Sequence, residues 1–199
     1  STDSTGESVS DETSEICEVS EFVLSEKVAL IDSYMEHDID RSLPVKNLFY
    51  KRSYKPSRPA GTKRPEQGNK LTNGEMMDII FDSKVHVGWE GSSTLAIDFD
   101  LGGNDHKLAD LSVRCFRILY YDVGLPKSVS VSVSNDNKEF TKVGQIITPI
   151  YLNNTAMYDY YFSFPKAISA RYIRITFATP EKSNLVLDEI MAFEYCEDG

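Results

Sequence analysis

Alternate residues of an extended strand share a face, so Asp98 and Asp100 in Ala96-Ile-Asp-Phe-Asp-Leu101 present two carboxylates to one side. Paired carboxylates are the tools of acid–base hydrolysis, but a glycosidase needs its pair across a cleft, and the sequence marks none. On a polar strand face such residues meet water or pair with Arg and Lys. Other signatures of catalysis are missing: there is no Gly-x-Ser-x-Gly, no His-Glu-x-x-His, no phosphate loop and no Cys/His nucleophile pair with a local signature. These residues describe a binder and not an enzyme.

Binding chemistry concentrates elsewhere. Residues 51–70 carry Lys and Arg interleaved with Tyr50 and Tyr54, the footprint of a nucleic-acid contact. A net charge of −10 and a pI near 4.8 oppose that partner, and equally an anionic membrane, at long range. The basic segment fits better against an acidic or hydroxyl-rich ligand, or against the acidic N-terminal residues of its own chain. Tyr151, in Pro149-Ile-Tyr-Leu-Asn-Asn154, falls in a turn where an exposed aromatic calls for a ligand. The cysteines Cys17, Cys115 and Cys196 lack metal spacing. Cys115 alternates onto one face with Val113, which predicts a buried free thiol. Cys17 and Cys196 lie near the chain ends and are either a disulfide or two unpaired thiols; the disulfide would imply an extracytoplasmic setting.

The elements that must position these residues are strands. Val129, Val131 and Val133 alternate with Ser128, Ser130, Ser132 and Ser134, and Asn135-Asp-Asn137 turns the chain back through Phe140, Val143 and Ile146. The same grammar predicts strands at 45–50, 94–101, 111–121, 158–164, 170–178 and 185–195. Eight strands with turns between them predict an all-β sandwich. Residues 1–20 form an acidic Ser/Thr-rich tether too polar to pack. Residues 21–44 form a helical extension, with Ser25 as N-cap and Val28, Ile31 and Met35 on one face. Residues 45–199 form the sandwich. No apolar run is long enough to span a bilayer, and the chain reads as a mature segment without signal peptide.

The order of these pieces resembles the galactose-binding-like family, also called discoidin or coagulation-factor type C, which includes many bacterial carbohydrate-binding modules. The resemblance is carried by Asn47-Leu48, Leu71-Thr-Asn-Gly74, Trp89 ahead of Ala96-Ile-Asp-Phe-Asp-Leu-Gly102, Leu125-Pro126 before the Val/Ser strand, Ala170-Arg-Tyr-Ile-Arg-Ile175 and Asp188-Glu-Ile190.

The resemblance implies an eight-stranded jelly-roll sandwich that binds glycans through loops at one end, with an aromatic under the sugar's apolar face and polar side chains at its hydroxyls. Carried onto this sequence, the ligand candidates are Tyr54, Arg58, His86, Trp89, Tyr121, Asp122, Tyr151 and Asn153. Trp89 also reads as a core residue, and His86 between Val85 and Val87 as a strand-edge residue. The resemblance further implies one structural calcium ion at the Asn73-Gly74 loop, with Asp78 or Asp82 and Glu189, although Asn73 stands where the motif usually has aspartate. The implied function is a non-catalytic, secreted or cell-surface module for a glycan or polysaccharide. The alternatives are an adhesion domain that binds an extracellular protein through the basic 51–70 loop, and an accessory domain of a glycan-active enzyme.

Overall fold

A computed structural model describes residues 35–76, 84–91, 93–149, 157–180 and 182–196. Eleven strands run through them: β1 (Met35–Asp38), β2 (Val45–Asn47), β3 (Lys55–Pro56), β4 (Val87–Trp89), β5 (Leu95–Asp100), β6 (Lys107–Phe116), β7 (Ser128–Ser134), β8 (Thr141–Ile147), β9 (Met157–Ser169), β10 (Tyr172–Ala178) and β11 (Leu185–Tyr195). One sheet has the order β1-β9-β6-β11-β2, with β4 also on β11, and the other has the order β3-β5-β10-β7-β8. All paired strands are antiparallel. The eight expected strands are β2 and β5 to β11; β1, β3 and β4 are short additions.

Strand β7 shows why this sequence makes a sandwich. Val129, Val131 and Val133 are fully buried and pair with Phe177, Ile175 and Ile173 of β10, while the intervening serines face outward. Alternation places one set in the core and the other in water. In the following turn Asp136 Oδ1 accepts the Lys138 and Glu139 N–H groups at 2.8 and 2.9 Å, and Asn137 takes a left-handed φ of 60°. Those backbone hydrogen bonds hold the Asp136 carboxyl below its ordinary pKa. The core between the sheets is aromatic and aliphatic, with Phe49 stacked on Phe99 at 3.8 Å.

The helical extension expected over 21–44 differs where it is described. Met35–Asp38 is a strand, with Met35 opposite Ile168 and Asp38 opposite Lys166 on β9. An available sheet edge supplies backbone partners, and tertiary pairing overrides a local helical period. Residues 35–44 therefore belong to the sandwich, which begins earlier than residue 45. The tether and the rest of the extension lie outside the described residues.

The registers place the connections at two ends. The β5–β6, β7–β8 and β9–β10 turns share one end with Pro44 and Cys196, where the Cys196 N–H donates to the Pro44 carbonyl at 2.7 Å. The β4–β5, β6–β7, β8–β9 and β10–β11 connections gather at the other.

Candidate functional site

The second end is built on a small closed loop. Ile118 and Val123 exchange backbone hydrogen bonds of 3.0 and 3.2 Å, and between them Leu119–Tyr121 makes a 310 turn, with Asp122 left-handed at φ 56°. Val123 is anchored in an apolar cluster with Phe116 and Val186, so the loop's base is fixed and its tip projects. Tyr120 is 98% exposed and Tyr121 58%. The β10–β11 connection is joined to this loop, since the Asn184 N–H donates to the Asp122 carbonyl at 2.7 Å and the Gly124 N–H to the Asn184 carbonyl at 3.1 Å. A side chain at Gly124 would meet Ser183 Cβ at 3.0 Å, which explains the glycine.

Residues 58–64 close over the same end. Arg58 donates to the carbonyls of Glu90 and Ser93 at 2.6 and 2.9 Å, and the Gly88 N–H donates to the Arg64 carbonyl at 2.9 Å. Burial pulls the Arg64 guanidinium below its ordinary pKa, opposed by the nearby Glu90 and Tyr121. Exposed tyrosine rings, a guanidinium and the exposed Glu90 carboxylate thus share one surface. That set can stack on an apolar ring face and hydrogen-bond its hydroxyl edges.

The structure sorts the expected ligand residues. Tyr121 and Asp122 are exposed at this end and Arg58 is half-buried there. Trp89 is fully buried, its Nε1–H donating to the Arg58 carbonyl at 3.1 Å, so it packs and braces the loop instead of meeting a ligand. His86 is also fully buried, edge-on to Phe116 at 4.7 Å. The Tyr54 hydroxyl donates to Glu66 and accepts the Leu71 N–H at 3.1 Å, and its ring tilts against Phe99, so it ties the segment to the core. Tyr151 and Asn153 lie outside the described residues. Tyr120 was absent from the expected set because the alternation from Leu111 runs on past Phe116, where β6 ends.

The expected calcium loop is a 310 turn at Lys70–Thr72 followed by Gly74 at φ 83°. Glu189 is buried against it; its Oε2 accepts the Gly74 N–H at 2.8 Å and its Oε1 has no partner among the described residues. Burial pushes the Glu189 carboxyl up to about 8, against the Gly74 hydrogen bond and with Asp188 and Glu75 adding to the rise. Asn73 Oδ1 is engaged by the Glu75 N–H at 2.9 Å, and Asp78 and Asp82 lie outside the described residues. Among the described residues no three His, Cys, Asp or Glu side chains cluster as a metal cage. The orphaned Glu189 oxygen is the kind of hard donor a divalent cation takes.

Cys115 is a buried free thiol, as expected, with burial pushing it well above its ordinary pKa. Cys17 lies outside the described residues, and the Cys196 backbone N–H donates to the Pro44 carbonyl. Asp98 and Asp100 form two-pronged pairs with Arg174 and Arg171.

The F5/8 type C domain family matches residues 66–188. No curated protein matches the chain. Among solved structures, the chain is similar to chitosan-binding module 1 of a chitosanase/glucanase from Paenibacillus sp. IK-5 (TM-score 0.52, 18% identity, 74% of this chain and 98% of that one). It is also similar to a family 32 carbohydrate-binding module from Clostridium perfringens in complex with galactose (TM-score 0.54, 13% identity, 76% and 100%). A fucose-binding module from Streptococcus pneumoniae is comparably similar (TM-score 0.54, 15% identity, 78% and 99%). With the matched segment covering more than half of the sequence and the sandwich observed, the chain belongs to the F5/8 type C domain family.

Proposed function

We propose that this domain is a non-catalytic glycan-binding module working outside the cytoplasm, which takes sugar rings on Tyr120 and Tyr121 at the loop end. The observation that carries the reading is the exposure of these two rings on a rigidly anchored turn beside Arg64 and Glu90. Large aromatics held in water on a fixed base are a preformed stacking platform, which lowers the ordering cost of binding. The chitosan-, galactose- and fucose-binding neighbours support the ligand class. Calcium at Glu189 and the Asn73-Gly74 loop belongs to the same proposal; once bound it would supply a positive centre that keeps the buried carboxylate ionised.

Adhesion through a basic 51–70 loop gains no support. Arg52, Arg58 and Lys70 donate to carbonyls of Leu48, Asp100, Glu90, Ser93 and Pro65, which makes them internal braces. A glycan array probed with the full chain and with Tyr120→Ala, each with calcium and with chelator, tests the proposal. Saturable binding to one sugar class that weakens in the variant is expected; no binding by the full chain in either condition would refute it.

A further inference from the structure

The outward face of the β3-β5-β10-β7-β8 sheet holds a groove of about 620 Å³. It arises because short side chains, Ser57, Ala96 and Thr176, lie between long ones, Lys55, Arg174 and Tyr172. A second cavity of about 450 Å³ runs along the 56–66 loop and contains Arg58. The two meet at Ser57, which lines both. Arg58 in turn reaches Glu90, at the loop end beside Arg64 and Tyr121. The two cavities are thus joined at Ser57, and the Arg58–Glu90 contact ties the second of them to the loop end.

The groove is built for hydroxyls. Register aligns Lys55, Asp98, Arg174 and Ser132 in one row across four strands. Asp98 is held by Arg174 through hydrogen bonds of 2.7 and 2.9 Å, Asp100 by Arg171 at 2.8 and 3.1 Å, and the Arg174 guanidinium rests on the Phe140 ring at 3.9 Å. Two-pronged pairs fix carboxylate orientation while leaving lone pairs outward, and a stacked guanidinium loses little further freedom on binding. Lys55 has no side-chain partner among the described residues and offers a free donor. Both volumes lie within the range of ligand sites.

We infer that the glycan site is extended: beyond the rings held at the loop end, a linear neutral oligosaccharide continues along the 56–66 loop into the sheet-face groove, so the domain recognises a length of chain and not only a terminal sugar. This rests on the glycan-binding reading above.

The test is affinity electrophoresis of the full chain in galactan, arabinogalactan, galactomannan and xylan, followed by calorimetry with the hexasaccharide and disaccharide of the retained polymer. The hexasaccharide should bind at least ten-fold more tightly. Thr176→Trp, which fills the groove, should lower hexasaccharide affinity to the disaccharide level and leave the disaccharide unaffected. Lys55→Ala, at an exposed position that the fold does not need, should weaken the hexasaccharide several-fold and decides the matter if Thr176→Trp does not fold. Equal affinity for the two lengths, or hexasaccharide binding unchanged in the groove variants, overturns the extended site while glycan binding stands. No retention by any of these polymers together with no binding on the glycan array overturns both.

Discussion

Glu189 Oε2 accepts the Gly74 N–H at 2.8 Å across 115 positions of sequence, tying the last strand to the turn after Thr72. The contact exists because β11 carries a bulge: between the pairs Leu187–Cys115 and Ile190–Val113, two residues of β11 oppose one of β6. The extra residue lets consecutive acids serve different neighbours. Asp188 lies against Arg114 Nε at 3.5 Å, and Glu189 reaches the Gly74 loop.

The Glu189 carboxyl is raised from 4.5 to about 8, chiefly by burial, so the folded chain holds this proton more tightly than the unfolded chain. The stability it contributes is complete below about 4.5 and is lost as pH rises toward about 8. In chelator, denaturation midpoints should fall through that window for the native chain and stay flat for Glu189→Gln. Calcium should flatten the native profile, because a cation replaces the proton. A native profile already flat in chelator would show that the carboxylate is solvated.

The single tryptophan gives a second check. Trp89 is fully buried, so its emission should be blue-shifted, resist iodide quenching and barely respond to saturating glycan. Trp89→Ala should cost about 3–5 kcal/mol through the cavity it leaves. Trp89→Phe should cost less and keep binding in the folded fraction. A ligand-dependent shift in emission would return Trp89 to the site.

Tyr120 should show the opposite pattern. A side chain that touches so little protein contributes little to folding, so Tyr120→Ala should leave stability within about 0.5 kcal/mol. Glycan affinity should fall about ten-fold or more, a loss of about 1.4 kcal/mol. Calorimetry beside a thermal melt separates the two effects. An unchanged affinity would place the ligand elsewhere.

What the sequence made legible was whatever one strand decides by itself. The Val/Ser alternation of β7 announces its faces, and Asn137 its left-handed turn, because both depend on neighbours within a few positions. Tyr120 was hidden for the opposite reason. The apolar residues from Leu111 onward look like one strand, and only the Ile118–Val123 bridge, backed by Asn184 from a distant loop, ends β6 at Phe116 and lifts the ring into water. The roles of Arg52 and Arg58 within 51–70 were hidden in the same way. Their charge is visible in the sequence, but the carbonyls that Arg52 and Arg58 cap come from residues as far away as Asp100 and Ser93. Met35 and His37 read as the end of a helix until the edge of β9 is there to pair with them.

The segment before residue 45 should matter to stability through one ion pair. Asp110 is almost fully buried on the outer face of its sheet, where the Arg41 guanidinium donates to it at 2.9 Å and also to Ser163 Oγ and the Phe164 carbonyl. The Tyr195 hydroxyl donates to the second carboxylate oxygen at 3.3 Å. Removing one partner of a buried pair strands the other charge, which costs about 3–5 kcal/mol; because Arg41 is itself partly in water, about 1–3 kcal/mol is expected for Arg41→Ala. The double variant Arg41→Ala with Asp110→Asn removes the stranded charge and should recover part of that loss in urea denaturation. If the two substitutions simply add, the arginine acts through packing on β9 and not through the carboxylate.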